Sequence, residues 1–194
     1  MKNLIRLLSL VVVVCAGARA QAVYTEVSLM YNYKKVTFDS KNTSESQGAT
    51  VSMSFYLWDR IALEGAYTNS LFVKKESEVA TVGSTQTRTV TQKSDIYEMN
   101  LQYLIVPDRK AVFQPYVKAG VAYINKKQNI QIDGDFPFEV RPEPGMGPSV
   151  GVGAKIFVTE SLSLRLSYDV VRTPIEGSQT ADDATGRAGI SWMF

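Results

Sequence analysis

Residues 185–194 read TGRAGISWMF, with Ala188, Ile190, Trp192 and Phe194 on one side of a two-residue period and Arg187, Gly189 and Ser191 on the other. Successive side chains of a β-strand point to opposite faces, so this segment predicts a strand with one apolar face. The same text recurs upstream. In LSLRLSYDV (162–170), Leu162, Leu164, Leu166 and Tyr168 alternate with Ser163, Arg165, Ser167 and Asp169. PSVGVGAKIF sets Val150, Val152, Ala154 and Ile156 against Gly151, Gly153 and Lys155. FQPYVKAGVAY sets Val117, Ala119, Val121 and Tyr123 against Tyr116, Lys118, Gly120 and Ala122.

Four further segments complete the set. They are VYTEVSLMYNY from Val23, ATVSMSFYLW from Ala49, IALEGAYT from Ile61, and the run from Tyr97 to Ile105 in which Tyr97, Met99, Leu101 and Tyr103 oppose Glu98, Asn100 and Gln102. Each is near the ~9–11 residues that cross a bilayer at a tilt. Short links near 58–60, 106–112 and 158–161 alternate with long polar ones at 36–48, 72–94, 125–147 and 171–184. The reading is an all-β chain, an eight-stranded antiparallel up-and-down transmembrane β-barrel with both ends at the short-turn side and the long loops outside the cell.

Alternation alone also fits a soluble barrel with an apolar inside. Two features favour lipid on the apolar face. The polar face is rich in Gly, Ala and Ser, with Glu26, Glu64, Glu98, Lys118, Arg165 and Arg187 spaced among them, as a narrow filled lumen requires. On the apolar face Val27, Leu29, Met53, Leu101, Val121 and Leu164 hold the strand middles. Tyr31, Tyr33, Tyr67, Tyr123 and Tyr168 gather near the long loops, and Phe55, Tyr103, Trp192 and Phe194 near the short turns. Two aromatic belts are expected at two bilayer interfaces.

The first 20 residues read as an export leader. Lys2 and Arg6 precede the apolar run LLSLVVVVCAGA, and Ala18-Arg19-Ala20 supplies small residues for cleavage before Gln21. Val14 beside Cys15 is too large for a lipidation site. Loss of Lys2, Arg6 and Arg19 would turn the formal charge of +2 into −1 and remove the single cysteine. Nothing then recommends a nucleic acid partner, and no disulfide can hold the domain of residues 21–194.

Chemistry is sparse. The chain has no histidine, which removes the imidazole-dependent hydrolases and acyltransferases. No catalytic residue, cofactor or metal ligand is assigned: Asp133, Asp135 and Glu139 in IDGDFPFE lack the spacing of a calcium loop. The lumen charges are read as a satisfied plug, with a gate of exchangeable pairs as the alternative. Phe136 and Phe138 on the Pro-stiffened stretch FPFEVRPEPG are candidate contacts to a partner. EVATVGSTQTRTVTQ (78–92) has Thr and Val at strand-like intervals, so strands three and four are expected to project as a hairpin.

Ile190, Trp192 and Phe194, ending on Phe, together with QPYVKAGVAY and GPSVGVGAKIFV, resemble the OmpA/OmpX-type family of small outer-membrane barrels over residues 22–194. The resemblance implies a monomer in the bacterial outer membrane, in contact with its lipid and lipopolysaccharide. It implies that the last strand is read by the barrel-assembly machinery. Because the chain ends at Phe194, the periplasmic peptidoglycan-binding domain of full-length OmpA proteins is not expected. A structural or surface-interaction role follows, with a narrow OmpW-like channel for ions or small hydrophobic molecules as the alternative.

Overall fold

The computed structural model describes residues 24–37, 43–81, 84–106, 111–132, 137–174 and 180–194. The leader region 1–20, the Pro107–Arg109 turn, Asp133, Asp135 and Phe136 lie outside them. Nine strands follow one another: β1 (Thr25–Thr37), β2 (Thr43–Tyr56), β3 (Ile61–Thr81), β4 (Ser84–Leu104), β5 (Phe113–Ile132), β6 (Phe138–Val140), β7 (Gly145–Phe157), β8 (Leu162–Pro174) and β9 (Thr180–Met193). All are antiparallel to their neighbours. The order β4-β3-β2-β1-β9-β8-β7-β5 closes through a β4–β5 pairing, so eight strands form a barrel without an open edge. The three-residue β6 lies outside the ring and pairs only with β5, at Gln128↔Val140 to Ile130↔Phe138.

The first and last strands meet at the closing seam. β1 pairs with β9 from Glu26↔Met193 to Tyr31↔Ala188, and Phe194 N–H donates to the Thr25 carbonyl at 2.8 Å. The approach there is close enough to need glycine. A Cβ on Gly189 would sit 2.0 Å from the Leu29 carbonyl oxygen and 2.5 Å from Met30 Cα, both backbone atoms that cannot swing aside. Gly189→Ala is therefore expected to cost about 1–3 kcal/mol, the range for overpacked sites. Urea unfolding of the refolded barrel measures it.

Turns at the same end are tight for local reasons. Leu57 N–H and Trp58 N–H both donate to the Ile61 carbonyl, at 2.9 and 3.2 Å. Between β7 and β8 the Thr159 hydroxyl oxygen accepts the Leu162 N–H at 2.9 Å, a side-chain turn of the kind that favours Thr and Ser in short links.

At the opposite end the strands run on. β3 and β4 are 21 residues each and pair up to Thr81↔Ser84, while β5 follows β4 as far as Arg88↔Ile132. Strands three and four thus project as the expected hairpin, and the other stretches expected as polar loops are mostly strand as well. Their backbone groups pair with each other, and once both faces are wet the sequence no longer has to alternate. The last β2 partner of β3 is Thr43↔Lys75, so the projecting hairpin has one side without a strand partner among the described residues.

The two faces separate cleanly. Leu29, Leu101 and Leu164 are 55%, 52% and 48% exposed, whereas Glu64 and Arg165 are each 0%. Outside, the band of aliphatic residues is bordered by Tyr31, Tyr33, Tyr67, Tyr97, Tyr123 and Tyr168 toward the long strands and by Phe55, Trp58, Tyr103, Trp192 and Phe194 toward the short turns, all exposed. Tyr67, Tyr97 and Tyr123 stand side by side on three strands, with ring centroids 5.1 and 6.3 Å apart.

Candidate functional site

Among the described residues eight charged side chains are buried on the inner faces: Glu26 of β1, Glu64 of β3, Glu98 of β4, Lys118 of β5, Lys155 of β7, Arg165 and Asp169 of β8, and Arg187 of β9. Every one occupies a lumen position of the two-residue period. Four carboxylates face four cations, and burial makes each partner necessary, since an isolated ion in a low-dielectric interior is strongly disfavoured.

Six of the ions form a continuous chain. Arg165 Nη2 donates to Glu64 Oε2, and Glu64 Oε1 accepts from Lys118 Nζ at 3.1 Å. Lys118 also lies 3.0 Å from Asp169. Asp169 in turn lies 3.3 Å from Arg187 Nη1, which donates to Glu98 at 2.9 Å. Neutral groups fill the remaining valences of Arg165: its Nε donates to the Tyr116 hydroxyl at 2.8 Å and its Nη1 to Ser28 at 3.0 Å. The Tyr116 ring also stacks beneath the guanidinium, 5.0 Å from its centre.

A second cluster sits nearer the short turns. The Tyr56 hydroxyl donates to Glu26 Oε2 at 2.6 Å and accepts from Lys155 Nζ at 2.7 Å, while Lys155 also pairs directly with Glu26. Tyr56, Ala62, Leu104 and Tyr116 make a small apolar layer beside it. Glycines on the inner faces make room for the long side chains. A Cβ at Gly151 would lie 2.2 Å from Asp169 Oδ1, and one at Gly153 2.4 Å from the Tyr116 ring.

Of the expected lumen set, Glu64, Glu98, Lys118, Arg165 and Arg187 meet in the chain, while Glu26 pairs instead with Lys155 and Tyr56 in the second cluster. Lys155 and Asp169 were missed as members, although the alternation of their strands already put them on the polar side. Phe138 is elsewhere, on β6 and half exposed. Beside it the Arg141 guanidinium hydrogen-bonds Glu139 and holds that carboxyl below its ordinary range. Ile190 and Trp192 face outward on β9, with Trp192 stacked against Phe194 at 6.4 Å. Among the described residues no group of acidic or sulfur ligands could hold a metal ion.

A closed ring of eight tilted strands, apolar and aromatic-belted outside and ionic within, defines a transmembrane barrel of the outer-membrane class. Residues 7–194 match the family model described as outer membrane protein beta-barrel domain, and the chain belongs to that family. No curated protein matches it at a significant level. Solved structures share its fold. The N-terminal β-barrel domain of Pseudomonas aeruginosa OprF is 17% identical with a TM-score of 0.53, covering 91% of this chain and 100% of that one. OprG from Pseudomonas aeruginosa is 9% identical with a TM-score of 0.58, covering 89% and 96%. Ail, the attachment invasion locus protein of Yersinia pestis, is 12% identical with a TM-score of 0.55, covering 89% and 99%. At these identities the likeness is one of fold.

Proposed function

We propose that this barrel is an envelope protein of the bacterial outer membrane that works as a rigid anchor for a surface-presented sheet. The observation that carries the reading is the filled lumen. A ladder of ion pairs whose members are 5% exposed or less occupies the space a conducting path would need, and an eight-stranded interior is only wide enough for side chains. The projecting β3–β4 hairpin supports the second half of the reading. Six residues of β3 beyond Lys75 extend about 20 Å at the usual strand rise, with an edge on which an extended peptide can add.

Planar-bilayer recording on refolded protein tests the plug. The expected outcome is a silent bilayer for the wild-type chain, and steady discrete openings would favour the channel reading. Excising 77–87 tests the presentation. Glu76 and Arg88 then remain as a two-residue turn across the Lys75↔Thr89 pair, so the shortened barrel should fold, insert and lose its binding to a cell surface.

Export and assembly complete the proposal. Residues 1–20 act as a leader cleaved before Gln21, and outer-leaflet lipopolysaccharide surrounds the long-strand end of a monomer. Ile190, Trp192 and Phe194 form the strand read by the barrel-assembly machinery. Phe194→Ser is then expected to lower folded protein in outer-membrane fractions severalfold while leaving unaided refolding into micelles unchanged, as heat-modifiable gel mobility reports.

A further inference from the structure

On the outer face of β4 and β5, Tyr97 lies opposite Tyr123, and further out along the same face Lys93 lies opposite Lys127. Both lysines are exposed. Like charges directly opposite on one face of a sheet repel each other. Asp95, between the lysines and the tyrosines, is attracted by both ammonium groups, but its Oδ1 already accepts from Tyr67 at 2.8 Å and Asn69 at 2.7 Å. Glu139, the other carboxylate that feels Lys127, is engaged by the Arg141 guanidinium. Neither lysine forms an ion pair among the described residues. Two ammonium groups over one shared carboxylate leave a net positive charge, which an anion from outside the chain would neutralise.

Height selects the anion. Lys93 stands four residues beyond Tyr97, about 13 Å along the strand and about 10 Å above the tyrosine row at the usual tilt. The headgroup layer beyond the hydrocarbon is about 5–7 Å deep, and lysine stems lie along apolar surface to bring their ammonium groups to that level. Below, Met99 and Val121 are register partners exposed on the same face. A lipid standing against β4 and β5 thus meets aliphatic side chains with its acyl chains, then the tyrosine rings, then two cations at its headgroup. A lipid that ends in a carboxylate at ring level would meet Asp95 and be repelled. We propose that Lys93 and Lys127 together bind the phosphate group of an outer-leaflet lipid.

The inference deepens the envelope-anchor reading and rests on it for the long-strand end facing the outer leaflet. The test is a two-dimensional amide NMR titration of the full chain refolded in neutral maltoside micelles, with diphosphoryl lipid A, its phosphate-free form and inorganic phosphate as probes. Lipid A should give saturable shifts centred on Lys93, Asp95 and Lys127, and the phosphate-free form should give none there. Lys93→Gln and Lys127→Gln should each weaken lipid A about fivefold and together about twenty-five-fold, as expected for about 1 kcal/mol per cation at a charged lipid surface. Without lipid, Lys127→Gln should leave the urea midpoint equal or higher, because it relieves a repulsion.

Equal shifts from the phosphate-free form, or full affinity in the double variant, would overturn the proposal. Inorganic phosphate binding as tightly as lipid A would assign the pair to a free anion and overturn it too, as would a urea midpoint lowered by Lys127→Gln in the neutral micelle. Orientation is read separately, by an impermeant maleimide on intact cells carrying Asn129→Cys in a Cys15→Ala chain. No labelling sinks the outward placement of the long strands; labelling without phosphate-dependent binding sinks this inference alone.

Discussion

Glu64→Ala is expected to destabilise the barrel by about 3–5 kcal/mol, the cost of stranding buried charges by removing one partner. Among the described residues Glu64 is the only carboxylate that Arg165 touches, and it supplies one of two to Lys118. Lys118 keeps Asp169, while Arg165 keeps the neutral Tyr116, Ser28, Ser52 and the Gln102 amide oxygen, so the unpaired charge falls on the guanidinium. Glu64→Gln retains acceptor capacity but not the charge and should lose less. Removing both charges together, with Glu64→Gln and Arg165→Met, should recover much of the loss, because a buried pair is replaced more cheaply than it is broken. Denaturant titration of the refolded protein measures all three. A loss below 1 kcal/mol for Glu64→Ala would mean that water already reaches the lumen ions.

Leu101→Arg should cost about 2–4 kcal/mol, the penalty for a cation on the lipid face near mid-membrane. Leu101 is half exposed on β4, in register with Leu63 and Ala119, within the aliphatic band and between the aromatic belts. On a water-bathed surface the same change would fall within about 0.5 kcal/mol. The substitution therefore reads the solvent outside the barrel rather than the packing inside it. Folding into lipid vesicles is the assay to use, with Lys75→Ala, beyond the outer belt, as the insensitive control.

The sequence made the two faces legible because strand side chains alternate strictly and the membrane allows no exception on its side of the wall. Glu64 and Arg165 could be placed inside from their own neighbours. Which ions meet could not be read, since Lys155 and Glu26 are 129 residues apart and their meeting depends on the stagger of the whole ring. Lys155 and Asp169 lie in glycine- and serine-rich faces, where a lone long side chain gives no local sign of its partner. Tyr56 and Tyr116 on the polar face also carried a message: a buried phenol needs a partner, and each finds one in the ion clusters. Beyond the membrane the reading weakens for a physical reason. Strand β6 is three residues long, and in the outer half of β5, NKKQNIQI, Ile130 alone is buried, so neither carries enough of a period to detect.

The central claim is that aliphatic side chains of the ring touch acyl chains while the ions are enclosed. The only cysteine is Cys15, so single cysteines on a Cys15→Ala background can carry spin labels at positions 98 to 103 of β4 in lipid vesicles. Labels at Met99, Leu101 and Tyr103 should be mobile and strongly relaxed by oxygen, which concentrates in the bilayer, with those at Glu98, Asn100 and Gln102 immobile and shielded. Oxygen-shielded, packed labels at 99, 101 and 103, with water-accessible ones between them, would contradict the account.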